Sequence, residues 1–238
     1  CINSAINHLL KELASSGDIE LHNPKTPSEN SGLLVLGMGK IGGLELNYSS
    51  DIDLILFYDG SQIKTNKPEK IQENFNKLAK GLVKIMSEVT SDGYVFRIDL
   101  RLRPDPSSTS PIVSVTTAGI YYENLGQNWE RAALIKARPI AGDISTAKEF
   151  MIKLSPFIWR KYLDFATIHE IHSIKRQINS HYQNSNIMVM GHNIKLGRGG
   201  IREIEFFTQT QQLIWGGRIP ELRLSPTCSA LKILAKHG

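Results

Sequence analysis

The spacing of apolar residues changes repeatedly along the first half of the chain, and each change predicts an element. Ile2, Ile6, Leu9, Leu10 and Leu13 fall on one face of a helix over residues 1–16. The stretch HNPKTPSENSG (22–32) is a loop by its Pro, Asn, Ser and Gly content. LLVLGMG (33–39) is continuous hydrocarbon running into glycines and predicts a buried strand. DIDLILFY (51–58) predicts a second strand, and the polar stretch 60–70 a loop. Over 71–89 the residues Ile71, Phe75, Leu78, Leu82, Ile85 and Val89 step at three or four, as in an amphipathic helix. YVFRIDLRLRP (94–104) alternates strictly, as a half-buried strand should.

After Pro111 the pattern turns helical. Thr116–Leu125 and Trp129–Arg138 read as helices closed by Gly126 and Pro139. Ala147–Lys153, Phe157–Leu163, Phe165–Tyr182 and Gly200–Trp215 read as further helices. The expected organisation is an α+β domain over 1–142, including the N-terminal helix, and an all-α helical domain over 143–238. The boundary falls near Ala141-Gly142-Asp143, and no repeat or low-complexity segment interrupts it.

The strand at 51–58 opens on two carboxylates although the rest of it is almost pure hydrocarbon. Alternation puts Asp51, Asp53, Ile55 and Phe57 on one face, and Ile52, Leu54, Leu56 and Tyr58 on the other. Adjacent carboxylates repel, and a divalent cation such as Mg²⁺ removes that repulsion by taking their oxygens. In 94–104, alternation sets Arg97, Asp99, Arg101 and Arg103 on one face, so Asp99 would complete a three-carboxylate site beside arginines suited to phosphate. Gly37-Met38-Gly39-Lys40 and Gly42-Gly43 form a glycine-rich turn of the kind that lets backbone N–H groups approach phosphate. Its spacing is neither a P-loop nor a dinucleotide fingerprint.

Each signal alone has a plainer reading. A lone D-x-D is commonly a solvated strand end, and three arginines commonly form the exposed face of a sheet. Together in one α+β segment they favour a site. His169 and His172 share a helix face but lack an evident third ligand, so they read as surface or packing residues. Trp129, Trp159 and Trp215 read as core or domain-contact residues, and Tyr121 and Tyr122 as packing residues.

Composition narrows the class. With 238 residues, 41% hydrophobic and 21% charged, the chain is an ordinary globular protein of one large domain or two small ones. A net charge of +5 with dispersed basic residues suits a small anionic ligand at least as well as a nucleic acid, and no nucleic acid is among the expected partners. Cys1 and Cys228 give neither metal spacing nor a disulfide framework, which fits a reducing cytoplasm. No apolar run suggests a membrane. The chain begins at Cys1 rather than Met and is read as a piece of a longer polypeptide.

GMGKIGGLELNYSSDIDLILFYD, FRIDLRLRP, NWERAALIKAR and NIKLGRGGIREIEF together resemble the glutamine synthetase adenylyltransferase family of the polymerase-beta-like nucleotidyltransferase superfamily. The resemblance covers roughly residues 32–217. It implies a mixed or antiparallel-rich sheet followed by a helical domain, with Asp51, Asp53 and Asp99 as catalytic, metal-binding carboxylates. Mg²⁺ is the expected cofactor, with Mn²⁺ as the alternative. Gly42 and Gly43 match the glycine turn, although the gap to Asp51 is shorter than in many relatives. The nucleotide or phosphate would meet these glycines, Ser50 and a set of cations: Arg97, Arg101, Arg103, Lys136, Arg138, Lys195 and Arg198. The loop Asn193–Gly200, with Lys195 and Arg198 before a helix start, is a candidate anion site.

Enzymes of this family have two homologous halves, one removing AMP from a tyrosine of glutamine synthetase by phosphorolysis and the other attaching it from ATP. GRGGIREIEF, with Arg202 before Glu203, resembles the removing half. The resemblance implies glutamine synthetase as the protein substrate, phosphate and ADP or else ATP as small-molecule partners, and the PII signalling protein for the full-length enzyme. Two alternatives stand beside removal: adenylyl transfer from ATP, and a non-catalytic regulatory module of the same fold.

Overall fold

The two hydrocarbon runs become the centre of one sheet in a computed structural model that describes residues 1–161 and 192–237. Strands β1 (Leu33–Gly37) and β2 (Ile52–Tyr58) pair antiparallel, from Leu33 opposite Tyr58 to Gly37 opposite Leu54. Short β3 (Ile98–Asp99) and β4 (Ile112–Ser114) share the other edge of β2, both parallel to it. β5 (Arg138–Gly142) pairs antiparallel with β1, giving a five-stranded mixed sheet.

Both sheet faces are covered, which is why β1 and β2 read as unbroken hydrocarbon rather than alternation. On one face Leu33, Val35, Ile52, Leu54 and Leu56 pack against α1 (Ile2–Ser15) and α3 (Ile71–Ser87). α3 is also the crossover that makes β2 and β3 parallel. On the other face Phe57 meets Phe150 of α6 (Ile144–Ile158) edge-on, with ring centroids 5.0 Å apart. A single helical turn, α2 (Gly39–Gly42), follows β1, and α4 (Val115–Asn124) follows β4. Ser114 caps α4, its hydroxyl accepting from Thr117 N–H at 3.1 Å.

The helix expected over Trp129–Arg138 is shorter: α5 spans Asn128–Leu134, and Arg138 opens β5 instead. The strand expected over 94–104 shrinks to two residues. Its alternation is real, because Phe96, Ile98 and Leu100 pack on the core. Pro104, Pro106 and Pro111 then keep the chain off the β2 edge, and Asp105 turns it through a positive φ of 39°. Helices expected at Ala147–Lys153 and from Phe157 merge at their start into α6, which carries Pro156 in its last turn.

The chain forms two compact units, 1–126 with 136–155, and 127–135 with 156–238. In the second unit the described residues are helix and turn, with α5, α7 (Ile201–Trp215) and α8 (Thr227–Lys236). Arg131 is buried on α5 with its guanidinium over the Phe157 ring, and Gln127 and Glu130 form a capping box. The buried face of α7 is Thr208, Thr210, Gln212 and Leu213, while Ile201 and Ile204 are exposed. Tyr122 is buried edge-on to Tyr121, as a packing residue should be. Trp215 and Trp129 are each 40% exposed, and Trp159 lies over Gly216. The helix expected over Phe165–Tyr182, with His169 and His172, lies outside the described residues.

Candidate active site

Asp51 and Asp53 lie where β2 begins, with Asp99 on the neighbouring β3. Pairing of β2 with β3 sets Asp53 opposite Asp99, and Ile52 N–H donates to the Arg97 carbonyl at 2.9 Å. Asp51 precedes β2 on the face of Asp53. Met38 N–H donates to the Asp53 carbonyl at 2.8 Å, which carries the ladder to the mouth of the glycine turn. Gly39 follows at φ +49°, and a Cβ there would lie 2.7 Å from Asp53 Oδ2. Glycine is favoured on both counts: the backbone is left-handed, and any Cβ would displace the Asp53 carboxylate.

The arginines are distributed among distinct tasks. Arg97 donates through Nε to Asp51 Oδ1, through Nη1 to the Tyr94 hydroxyl at 2.9 Å and through Nη2 to the Ser49 carbonyl at 3.0 Å. Arg101 folds back on Asp99, with Nε to Oδ2 at 2.9 Å and a second contact from its terminal nitrogen. Arg103 donates instead to the carbonyls of Leu100, Pro106, Thr109 and Ser110, at 2.8–3.1 Å, and ties the 100–110 loop to itself. Burial pulls its pKa down. An anion would compete with four carbonyls for that guanidinium.

Lys136 donates to Glu45 Oε2 at 2.7 Å and is 5% exposed. Arg138 donates to the Ile41 and Gly42 carbonyls at 2.9 and 3.1 Å. Gly42 and Gly43 N–H groups are occupied within the turn, donating to Met38 and Gly39 carbonyls at 3.0 Å each. Ser50 N–H donates to the Asn47 carbonyl at 3.3 Å. Glu45 carries no sequence signal for its role, since its partner is 91 residues away.

Lys195 and Arg198 belong to the second unit and are exposed on the turn 193–199. Asn193 Oδ1 accepts from the Lys195 and Leu196 N–H groups there. At the start of α7, Glu203 Oε2 accepts from Gly199 N–H at 2.7 Å. The helix's own carboxylate thus holds a position that an incoming anion would use.

In kind, the donor set suits a hard divalent cation: Asp53 and Asp99 paired in register, and Asp51 just before β2, beside a turn with no room for a Cβ at Gly42. Among the described residues, no three acidic, thiol or imidazole groups already stand together as a metal cage. Asp51 and Asp99 each face an arginine, so a cation would take over carboxylates now shared with guanidinium.

The Arg101 hydrogen bonds hold the Asp99 carboxyl below the usual carboxylate range, against an opposing effect of partial burial. A depressed carboxyl pKa stabilises the fold above the unfolded value, and that contribution is lost as pH falls through the folded value. Arg101→Met should therefore lower stability at neutral pH and leave it unchanged once both forms carry a protonated Asp99. Arg101 is 84% exposed, so solvent screens the pair and the difference at neutral pH should be small. Denaturant midpoints measured between neutral and strongly acid pH check both the size and the sign.

A family model described as glutamate-ammonia ligase adenylyltransferase matches residues 1–152. The chain belongs to that family. A second model, described as GlnD PII-uridylyltransferase, matches residues 171–238. The chain is 58% identical over 235 residues, 99% of its length, to the bifunctional glutamine synthetase adenylyltransferase/adenylyl-removing enzyme of Agrobacterium fabrum (strain C58). It is 58% identical over its full length to the protein of that name from Rhizobium meliloti (strain 1021), and 54% to that from Brucella suis biovar 1. It spans 24% of the length of each of these relatives. The sheet, the glycine turn and all three acids lie within the segment matched by the adenylyltransferase family. Among the described residues no helix is long and apolar enough to cross a membrane.

Proposed function

We propose that this chain is one nucleotidyltransferase unit that removes AMP from an adenylylated tyrosine of glutamine synthetase by phosphorolysis, releasing ADP. On this reading it consists of a catalytic domain followed by an all-α helical domain and works in the cytoplasm, regulating nitrogen assimilation. The observation that carries the proposal is the register pairing of Asp53 with Asp99, two residues beyond Asp51, in a chain of the adenylyltransferase family.

In the reaction a phosphate oxygen attacks the α-phosphorus of adenylyl-tyrosine. The bond from phosphorus to the tyrosine oxygen breaks, and the incoming phosphate becomes the β-phosphate of ADP. The tyrosine oxygen then takes a proton. Asp51, Asp53 and Asp99 would hold Mg²⁺ or Mn²⁺. Such a cation, when bound, offsets charge on the attacking and leaving oxygens. Arg97 and Arg101, already at the carboxylates, would pass to phosphate oxygens. Asp99, ionised at neutral pH beside Arg101, suits cation binding better than proton donation.

Removal is favoured over transfer by GRGGIREIEF, whose Arg202 is exposed near the start of α7. Transfer from ATP uses the same carboxylates and remains the second reading, supported by the family name. The match of residues 171–238 to a PII-uridylyltransferase model supports PII as a partner of the full-length protein. Incubation with adenylylated glutamine synthetase, phosphate and Mg²⁺ should yield ADP. Pyrophosphate from ATP and unmodified glutamine synthetase, with no ADP in the first reaction, would assign the transferring activity instead.

A further inference from the structure

The glycine turn closes in a way that needs outside support. Glu45 N–H donates to the Lys40 carbonyl at 2.8 Å and Leu44 N–H to the Ile41 carbonyl at 3.4 Å, the two bonds of a Schellman closure. The left-handed position of that closure, commonly glycine, is Leu44 at φ +59°. Its side chain is 69% exposed, so packing does not hold it there. A strained residue persists where its neighbours over-determine it.

The neighbours are Glu45, Lys136 and Arg138. Glu45, next to the strained residue, is tied to buried Lys136. Arg138 donates to the Ile41 and Gly42 carbonyls, at the negative C-terminal end of the α2 turn. The Lys136 carbonyl lies against Gly42, where a Cβ would approach it to 1.9 Å. Arg138 is in register with Gly37, the last residue of β1. The segment 136–138 thus touches the turn at its start, its end and its closure.

We propose that Glu45, Lys136 and Arg138 form a brace that fixes the turn 39–45 beside Asp53, and that Lys136 and Arg138 are positioning residues rather than phosphate ligands. The inference deepens the proposed function and rests on it only for its kinetic arm. Three variants separate a brace from a ligand. Glu45→Gln breaks the ion pair without removing a cation. Arg138→Lys keeps the charge, which a phosphate ligand needs, but cannot fork two carbonyls. Glu45→Gln combined with Lys136→Met removes both charges and leaves no buried cation behind, should the single variant fail to fold.

Amide hydrogen exchange of the full chain reads the brace directly. Exchange at Gly42, Gly43 and Glu45 should rise about tenfold in each variant, with the β1–β2 amides unchanged. The double variant should match Glu45→Gln rather than exceed it, because the two side chains act as one unit. In turnover, kcat should fall about tenfold or more while KM for phosphate stays within about threefold. Unchanged exchange at the turn in all variants overturns the proposal. So does a KM for phosphate about tenfold higher in Arg138→Lys at unchanged kcat, the signature of a lost ligand. If the wild-type chain shows no phosphorolysis, the functional reading fails and exchange alone decides the brace.

Discussion

Asp53→Asn is expected to leave the chain folded and to lower turnover by about a thousandfold or more, since about 4 kcal/mol of charge stabilisation goes with the cation it would hold. The substitution keeps shape and one acceptor oxygen but removes the charge that a hard cation requires. The Asp53 carbonyl still accepts from Met38 N–H, so the ladder that anchors the turn survives. Asp51→Asn should behave in the same way, because Arg97 keeps the Tyr94 hydroxyl and the Ser49 carbonyl as acceptors. Two measurements decide the matter: thermal unfolding, which should shift little, and product formation at saturating Mg²⁺. Turnover within about tenfold of wild type in both variants would remove these acids from the chemistry.

The part of this site that could be read from sequence is the part built by alternation. Asp51 and Asp53 lie on one side of β2 because side chains alternate along any strand, and the unbroken hydrocarbon after them marks a strand buried on both faces. Asp99 falls into place for the same reason, although only Ile98 and Asp99 pair with the sheet. Alternation misleads at Arg103, which shares parity with Arg97 and Arg101 but lies past the point where prolines take the chain off the edge. Its carbonyl partners come from a loop whose path no period encodes. β5 was hidden for a related reason: Arg138-Pro139-Ile140-Ala141-Gly142 has neither alternation nor β-branched enrichment, and it pairs at a sheet edge across a bulge. Lys136 and Arg138 therefore read as a helix end, and their work at the glycine turn depends on a contact between segments far apart in sequence. Helices with a strong apolar stripe, α1 and α3, were legible to within two residues at each end.

Gly42→Ala is expected to lower stability by about 4 kcal/mol or more, through a clash that no rotamer relieves. The added Cβ would lie 1.9 Å from the Lys136 carbonyl oxygen and 2.4 Å from that of Gly37. Both are backbone atoms. Gly37 is pinned by its pairing with Leu54 and Arg138, so making room means moving β5 or the end of β1. At about 2–4 °C per kcal/mol for a chain of this size, the melting temperature should fall by roughly 10 °C. Gly119→Ala is the control: it lies within α4, a Cβ there meets nothing within 4 Å, and alanine should stabilise the helix slightly. Gly43 differs from Gly42 in a useful way. Its φ of −76° is open to any residue, so its backbone alone does not demand glycine. A loss of stability at Gly42→Ala, with none at Gly119→Ala, would show that the first glycine of the Gly42-Gly43 pair is fixed by the close approach of residue 136. Equal melting temperatures for Gly42→Ala and wild type would mean that the turn and the 136–138 segment are not in contact, and the brace inferred from that contact would fall with it.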